Sequence, residues 1–296
     1  MIVFDLKKVK HEDAGVIALG FFDCIHIGHK MVIQKAISLA HQSGVPASVF
    51  LFKNNIFPML GVEKYPLFTF EERLRMLEEL GVDRVFYIEA DEKFLSEKPS
   101  EFLSWLKGTL TLIGFTCGRD FSFGAYGAGS PEDLVREIGG QFEILELCEF
   151  DGEKVSSEGV KKALSEGNLA KAERFLGRKF SLLRVVSSGR KQGEKMGFPT
   201  INAEVDRFPL KEGVYFTEVL AEGKRHAAVT NVGGHPTFGD AHANVESYLL
   251  DYSGDLYGKE IEVFFLKYRR EIRTFSKVED LVSTIEKDVQ ARREYD

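Results

Sequence analysis

Two histidines three positions apart, His26 and His29, are the first residues in the chain whose type and spacing suggest chemistry. Gly28 lies directly before the second one, so no side chain covers the backbone there. A polyphosphate could therefore approach the main chain closely while both imidazoles donate hydrogen bonds to it. A preplaced set of donors of this kind suits catalysis of attack at a phosphorus atom.

The sequence around the histidines predicts a strand, a tight turn and a helix. Residues 16–19 are apolar, Gly20 follows them, and apolar residues repeat at helical spacing after His29. At the start of a helix the first N–H groups have no internal partner and the dipole is positive, which favours a bound phosphate. The alternative is that the two histidines are surface residues on a first helical turn.

A second set of candidate residues lies in a glycine-rich stretch near residue 200. Gly189, Gly193 and Gly197 would let backbone amides face a phosphate. Thr200 and Asn202 are alternate residues of an extended segment and so point to the same side. Their neutral oxygens suit a Mg²⁺ ion that also binds phosphate. The alternative is a plain loop followed by an edge strand.

Two further segments of the first half contain candidate residues. Four glycines within residues 118–129 predict a loop that can lie flat against a ligand, or else an ordinary surface loop with its phenylalanines in the core. Ser156 and Ser157 precede a predicted helix, where serine hydroxyls most often serve as caps.

The elements that position these residues fall into two groups. Up to about residue 150, strand-like and helix-like segments alternate, which is typical of a parallel α/β sheet. After residue 180 strand-like runs dominate and predict a small barrel, followed by a helix capped by Ser276 with an apolar buried stripe that begins at Val278. We therefore predict an α/β protein: a doubly wound, Rossmann-like domain over residues 1–157 and a small antiparallel β-barrel with a terminal helix over residues 158–296.

Composition limits the classes of function. The chain has 296 residues, 44% of them hydrophobic and 29% charged, as in a globular protein. Its net charge of −7 argues against nucleic acid as a partner. No apolar run approaches membrane-spanning length, and residues 1–15 lack a signal-peptide core, so we expect a cytoplasmic protein that binds no membrane. Three widely spaced cysteines predict thiols rather than disulfides or zinc ligands. We expect a monomer.

The histidine pair with its glycine resembles the nucleotidyltransferase superfamily. The longer string Gly20-Phe21-Phe22-Asp23 with His26, Gly28 and His29 resembles the bifunctional riboflavin kinase and FMN adenylyltransferase family, also called prokaryotic FAD synthetase. The string 197–202, the segments 230–233 and 236–238, Glu246 and the segment 256–258 occur in the order of that family's kinase half.

The resemblance implies two reactions and a role for each candidate residue. The barrel would phosphorylate riboflavin with Mg-ATP to give FMN, with Glu246 as the general base. The α/β domain would join FMN to AMP from a second ATP and give FAD, with His26 and His29 as catalytic residues. It implies Mg²⁺ at Thr200 and Asn202, and a flavin contact at Arg270. The implied nucleotide-binding residues are Gly20, Phe21, Phe22, Asp23, Gly28, Asp120, Phe123, Gly124, Ser156, Ser157, Lys161, Gly189, Gly193, Gly197, Phe198, Pro199 and Asn231.

The sequence departs from the family pattern at several places. Cys24 stands where the family usually has glycine, so a positive φ there would mean strain or a shifted turn. Glu158 and Lys161 replace a threonine and an arginine, and residues 53–55 replace an acidic, histidine-containing segment. These departures favour one alternative, a non-catalytic flavin or nucleotide carrier. The other alternative is a nucleotidyltransferase with a different phosphorylated acceptor, and the string 197–202 argues against it.

Overall fold

The computed structural model describes residues 1–187, 197–206, 209–234 and 242–295. The chain forms two compact units, Met1–Ser157 and Glu158–Asp296, and each is described by itself. Within the described residues, no helix is both long and apolar enough to cross a membrane.

A six-stranded sheet forms the centre of the first unit. Its strands are β1 (Ile2–Asp5), β2 (Glu12–Leu19), β3 (Ala47–Phe52), β4 (Arg84–Ile88), β5 (Leu110–Gly118) and β6 (Gln141–Leu145). They lie in the order β1-β4-β3-β2-β5-β6, and all neighbours are parallel. The order therefore reverses at β2, which has β3 on one side and β5 on the other. Sheets of this kind bind ligands in the crevice at the carboxyl ends of the strands at such a reversal.

Helices cover both faces of this sheet. They are α1 (Ile27–Ser43), α2 (Phe70–Glu79), α3 (Glu92–Leu95), α4 (Pro99–Thr109) and α5 (Pro131–Ile138). Side chains of β2 alternate between two core clusters, with Ile17 and Leu19 in one and Val16 and Ala18 in the other. A capping box begins α2: Glu72 accepts a hydrogen bond from the N–H of Thr69, and the Thr69 hydroxyl accepts one from the N–H of Glu72. A two-stranded ribbon, β7 (Glu149–Phe150) with β8 (Glu153–Lys154), follows β6.

The second unit is a curled antiparallel sheet with helices around it. Its elements are α6 (Ser157–Ser165), α7 (Leu169–Leu176), β9 (Ser181–Val185), β10 (Thr200–Asp206), β11 (Gly213–Ala221), β12 (Lys224–Gly234), β13 (His242–Leu249), β14 (Glu260–Arg270) and α8 (Val278–Arg293). The strand order is β10-β13-β12-β11-β14-β9, with all neighbours antiparallel. The two ends of the sheet meet where Ser187, just after β9, pairs with Asn202 of β10. The predicted doubly wound sheet and antiparallel barrel are thus both confirmed.

The terminal helix differs from its prediction. Lys277 rather than Ser276 is the N-cap, and it makes no side-chain capping bond. Val278 is 59% exposed, whereas the buried side chains of α8 are Asp288 and Arg292. The apolar periodicity misleads here because two charged residues find buried partners on the sheet: Arg292 donates to the backbone oxygen of Thr217 at 3.1 Å. Charged side chains are buried in this way only when they are paired.

Candidate active sites

The turn between β2 and α1, residues 20–26, is the motif turn. It contains several of the predicted residues of the first site. Its left-handed residues are Phe22 (φ 46°) and Ile25 (φ 44°), while Cys24 has no positive φ. The turn has therefore shifted its strained positions to the neighbours of Cys24. A residue other than glycine is accommodated at Cys24 without backbone strain.

The two histidines lie at the start of α1 with stacked rings. His26 is the N-cap, and its Nδ1 accepts a hydrogen bond of 3.1 Å from the backbone N–H of His29. The ring centroids are 3.7 Å apart with an interplanar angle of 14°. Because Nδ1 of His26 accepts, the neutral ring carries its proton on Nε2. The capping bond thus fixes the tautomer that can donate to an incoming anion.

His29 lies in an apolar environment. The ring of Phe22 meets it edge-on at 5.2 Å, and within the described residues its buried Nδ1 atom has no hydrogen-bond partner. Burial, with a smaller contribution from the charge of His26, lowers the pKa of His29 well below its usual value. The imidazole is therefore neutral at pH 7 before a ligand binds.

Cys24, His26 and His29 place one possible metal ligand each within 4.8 Å of one another. Two imidazoles stacked nearly parallel cannot both direct a ring nitrogen at an ion between them unless the rings rotate. Rotation of His26 would also break its bond to the N–H of His29. The arrangement therefore suits donation to phosphate better than the binding of a metal.

Both glycines of the motif are required by close contacts. A Cβ at Gly28 would lie 3.2 Å from the ring of His26 and 3.2 Å from Cβ of Cys148. A Cβ at Gly20 would lie 2.8 Å from the ring of Phe22. A side chain at either position would displace one of these rings. The two glycines therefore allow the backbone and the rings to lie this close together.

The other residues of the turn are anchored in the core. The carboxylate of Asp23 is buried and accepts a hydrogen bond of 2.6 Å from the backbone N–H of Leu67. Phe21 packs against the rings of Phe52 and Phe57, with centroids 6.1 and 4.8 Å away. These contacts hold the turn against the end of β3.

The glycine-rich loop after β5 has Phe123 in the core, as one of the two interpretations of its sequence expects. Asp120 is exposed and forms an ion pair of 2.7 Å with Lys154. Phe123 is buried in the core, and its backbone N–H and C=O both pair with Gly129. Gly124 has φ 71°, and a Cβ there would lie 2.8 Å from the backbone nitrogen of Pro99. Of the three predicted nucleotide contacts, Asp120 is the one whose side chain reaches solvent.

Ser157, the last residue of the first unit, contacts the turn between β2 and α1. The thiol of Cys24 donates a hydrogen bond of 3.3 Å to Oγ of Ser157, and Ser156 lies beside it in the same half-buried segment. Lys161 belongs to the second unit, so these two units divide the predicted Ser-Ser-x-x-x-Lys element. The two serines remain with the first site.

The departure from the family pattern at residues 53–55 has a structural explanation. The side-chain amide of Asn54 donates to the backbone oxygen of Ala90 at 2.8 Å and accepts from its N–H at 2.9 Å. Asn55 donates to the backbone oxygen of Lys64 and accepts from the N–H of Phe57. These bonds hold the ends of β3 and β4 together, so the segment stabilises the fold.

The second site is a row of polar side chains on one face of β10, β13 and β12. Glu246 lies opposite Asn202 on one side and Asn231 on the other. The hydroxyl of Thr200 donates to Oε1 of Glu246 at 2.6 Å. Oδ1 of Asn202 accepts a hydrogen bond of 3.1 Å from the amide of Asn244. The register of β10 and β13 thus brings the predicted base and both predicted metal ligands together.

The opposite face of these strands is buried. Val245, Ser247 and Leu249 alternate with Glu246 along β13 and point into the core. Behind the site, a row of hydroxyls joins Ser247 to Thr230 and Thr230 to Thr217 at 2.8 and 2.7 Å. Hydrogen bonding satisfies these buried groups and fixes the three strands relative to one another.

The chain enters β10 through a turn that needs glycine. Gly197 has φ 85°, and Phe198 after it meets the ring of Tyr248 at 5.3 Å. Pro199 is exposed and removes one N–H next to Thr200. The predicted phosphate contacts Gly189 and Gly193 lie outside the described residues.

Arg270, the predicted flavin contact, pairs with the terminal helix. Its Nη2 lies 2.7 Å from Oδ2 of Asp288, and its Nη1 donates a hydrogen bond to the backbone oxygen of Glu271. The side chain of Asp288 is only 4% exposed. Arg269 adds a contact of 3.4 Å to the other oxygen of Asp288. In the structure the guanidinium therefore joins β14 to α8.

Two contributors to the sites were missed from the sequence. Asn244 donates a hydrogen bond to Asn202, and the buried Arg73 donates one to the backbone oxygen of Phe52, against whose ring Phe21 packs. Arg73 had a detectable signal, because it lies on the apolar face of α2, three residues after Phe70 and four before Leu77. A cation on a buried stripe predicts a specific partner.

In comparisons with known proteins, two family models match consecutive parts of the chain. A family model described as FAD synthetase matches residues 8–159, and one described as riboflavin kinase matches residues 176–295. A bifunctional riboflavin kinase/FMN adenylyltransferase of Listeria monocytogenes is 32% identical over 289 residues, which cover 95% of this chain and 92% of that protein. The protein of that name from Escherichia coli K12 is 33% identical over 303 residues, which cover 99% and 96%.

A solved structure shares the fold. The crystal structure described as a macrolide-efflux protein from Streptococcus pneumoniae matches with a TM-score of 0.87 and 27% identity, and covers 100% of both chains. That likeness supports the fold, while the sequence relatives carry the assignment of the family. On their identity and coverage, the chain belongs to the family of bifunctional riboflavin kinases/FMN adenylyltransferases.

Proposed function

We propose that the second unit phosphorylates riboflavin with ATP to give FMN, and that the first unit joins FMN to AMP from another ATP to give FAD and pyrophosphate. The observation that carries this proposal is that each unit has its own set of reactive groups. The first has the stacked pair His26 and His29 at a helix start. The second has Glu246 bonded to Thr200 beside Asn202. The order of the two family models along the chain supports the same assignment.

In adenylyl transfer the phosphate of FMN is already an anionic nucleophile, so no protein base is required. Its oxygen forms a bond to the α-phosphorus of ATP as the bond from that phosphorus to the bridging oxygen breaks, and pyrophosphate leaves with the electron pair. His26, His29 and the first N–H groups of α1 would hold the phosphates and stabilise the charge that develops there. Gly20 and Gly28 keep the backbone accessible.

The remaining contacts of the first site belong to this proposal as well. Asp120 would approach the nucleotide with its exposed carboxylate, whereas Phe123 and Gly124 would act by shaping the loop. Ser156 and Ser157 would offer hydroxyls to the phosphates from the start of α6. Phe21, Phe22 and Asp23 would position the turn.

In the kinase reaction Glu246 would take the proton of the terminal ribityl hydroxyl as that oxygen attacks the γ-phosphorus, and ADP leaves. The bond from Thr200 to Oε1 orients the carboxylate, so its second oxygen can receive the proton. Asn231 lies opposite Glu246 on the neighbouring strand, where its amide can bind phosphate. Arg270 stays a candidate for a flavin contact in this unit, whereas Lys161 stays a candidate for a contact with the ATP of adenylyl transfer.

We further propose that Mg²⁺ binds at Thr200 and Asn202. The fit is chemical, because a hydroxyl and an amide oxygen on one strand face are the hard oxygen donors that Mg²⁺ prefers. Asn244 keeps the oxygen of the Asn202 amide in a defined orientation. Mg²⁺ would neutralise charge on the ATP phosphates when it is bound.

We also propose a cytoplasmic monomer that uses small molecules and binds neither nucleic acid nor a membrane surface. The net charge of −7 supports the last part, since anionic phosphate backbones and lipids repel an acidic protein. Light scattering on the purified chain tests the monomer, and a mass of twice the chain mass would contradict it.

The experiment for the main proposal follows flavins by chromatography. The purified chain is incubated with riboflavin, ATP and Mg²⁺, and we expect FMN to appear first and FAD after it. With FMN and ATP supplied instead, FAD should form directly. A yellow protein that makes neither product would contradict the proposal and support the carrier, and FMN without FAD would support a different acceptor.

A further inference from the structure

The first site contains a negative charge where a phosphate is expected. Asp23 belongs to the turn that precedes the two histidines, and it is 1% exposed. A carboxylate in a poorly solvated site repels the phosphates of ATP, because Coulomb interactions are weakly screened there. The turn can bind a polyphosphate only if this charge is compensated.

Arg73 of α2 is a buried cation close to that turn. Arg73 is 2% exposed, and its Nη2 donates a hydrogen bond of 2.9 Å to the backbone oxygen of Phe52, the last residue of β3. Among the described residues, the buried atoms Nε and Nη1 have no hydrogen-bond partner. A guanidinium remains charged in proteins, so this burial needs an opposite charge nearby.

Asp23 supplies that charge. Burial lowers the pKa of Arg73, and the negative charges of Asp23 and then Glu71 oppose that shift. Asp23 is also bonded to the segment that leads into α2, because its carboxylate accepts a hydrogen bond from the backbone N–H of Leu67. Two residues of the segment 67–73 therefore interact with the carboxylate of Asp23. Leu67 donates a backbone hydrogen bond to it, and the guanidinium of Arg73 interacts with its charge.

We infer that Arg73 is a positioning residue for adenylyl transfer: it balances the charge of Asp23 and ties the motif turn to the end of β3. The turn can then present its N–H groups and histidines to ATP without repelling the phosphates. The inference rests on the proposed assignment of adenylyl transfer to the first unit. Arg73 itself touches neither reactant in this account.

A test separates charge balance from simple support of the fold. The full-length chain is made with Arg73→Met, with Arg73→Lys, with Asp23→Asn and with Arg73→Met combined with Asp23→Asn. The matched control is Arg75→Met, since Arg75 lies on the same helix with a half-exposed side chain near Glu79. The KM for ATP and kcat of FAD formation from FMN are measured, together with FMN formation from riboflavin in the same preparations.

Charge balance predicts a characteristic pattern. Arg73→Met should raise the KM for ATP on the order of tenfold or more, with a smaller change in kcat, because the uncompensated carboxylate weakens phosphate binding. Arg73→Lys keeps the charge and should recover most of this loss. Asp23→Asn keeps an oxygen for the N–H of Leu67, so adding it to Arg73→Met should restore the KM for ATP to within about threefold of the unsubstituted chain. Arg75→Met should leave both constants within about twofold.

Several outcomes would overturn the inference. One is a fall in kcat with an unchanged KM for ATP in Arg73→Met, which is the result of a purely structural role. Another is a double variant no better than Arg73→Met, since removal of the carboxylate would then bring no relief. If Arg73→Met does not fold, Arg73→Lys is compared with Asp23→Asn. Charge balance predicts only a small effect of Arg73→Lys on the KM for ATP, because lysine keeps the positive charge. A large effect of Arg73→Lys would contradict the inference.

The proposed function can fail separately. If the unsubstituted chain forms no FAD from FMN, the assignment of the reaction is wrong. If it forms FAD and the variants do not show the pattern above, the assignment stands and the role of Arg73 is wrong.

Discussion

The two candidate sites of this chain bring their polar groups together by different means. The first lies at the start of a helix, where backbone N–H groups, glycines and two stacked imidazoles face one spot. The second lies on the face of a sheet, where Thr200, Asn202 and Glu246 are brought together by the register of paired strands. A helix start offers its donors from consecutive residues, whereas a sheet face collects side chains that are far apart in sequence.

This contrast predicts how each site responds to substitution. The helix site should be sensitive to any added side-chain volume, because the backbone itself must be accessible. The sheet site should be sensitive mainly to the chemistry of single side chains. The first two predictions separate the sites, and the next two test what supports each of them.

The largest effect is expected for Glu246→Gln. The amide keeps the shape of the side chain but cannot accept the proton of the ribityl hydroxyl, so FMN formation should fall on the order of a thousandfold. FAD formation from supplied FMN should stay within about twofold. Chromatography of the flavins from the two separate assays measures both rates. Asn231→Ala offers a comparison on the same face, and a larger loss there than in Glu246→Gln would show that base catalysis is not the main contribution.

The next effect is expected for His29→Ala. Loss of one phosphate donor should reduce FAD formation from FMN by about a hundredfold or more, while FMN formation from riboflavin persists. His41→Ala is the matched control, since His41 is a histidine near the other end of the same helix. An equal loss of both activities in His29→Ala would contradict the separation of the sites.

A smaller effect is expected for Gly28→Ala. The new Cβ would lie 3.2 Å from the ring of His26 and from Cβ of Cys148, so both must move by a few tenths of an ångström. We expect roughly a tenfold loss of FAD formation, as a displaced donor still contributes in part. Gly108→Ala is the control, because a Cβ at that helical glycine meets nothing within 4 Å. Full activity of Gly28→Ala would show that the close fit of the turn is not needed.

The smallest effect on catalysis is expected for Asp288→Asn, which tests what supports the sheet site. It removes the buried partner of Arg269 and Arg270, and the free energy of unfolding should fall by about 2–4 kcal/mol. FMN formation below the melting transition should change little. Thermal unfolding of the full chain measures the effect, with the exposed Asp280→Asn as its control. An unchanged Tm would mean that the ion pair adds no net stability.

The fold was largely predictable from local signals. The strand Ala47–Phe52 and the capping box of Thr69 follow from short apolar runs and from cap chemistry, and both are seen in the structure. The edge strand Ile2–Asp5 was not predicted, because four residues are too few to show a periodic pattern. The burial of Asp288 and Arg292 was also missed, since it depends on partners on the sheet.

The candidate sites show the same limit. The spacing of His26 and His29 could be interpreted locally, because consecutive residues at a helix start share one environment. The bonds of Asn54 and the position of Arg73 depend on contacts across the fold, which sequence spacing does not show. The pairing of Arg270 with Asp288 is likewise a tertiary contact.

The most direct test of two independent sites is complementation between two defective chains. Glu246→Gln and His29→Ala are assayed alone and mixed, with riboflavin, ATP and Mg²⁺. Neither variant alone should form FAD at an appreciable rate, whereas the mixture should, because FMN made by His29→Ala is the substrate of Glu246→Gln. A mixture that forms no FAD although His29→Ala accumulates FMN would contradict the account.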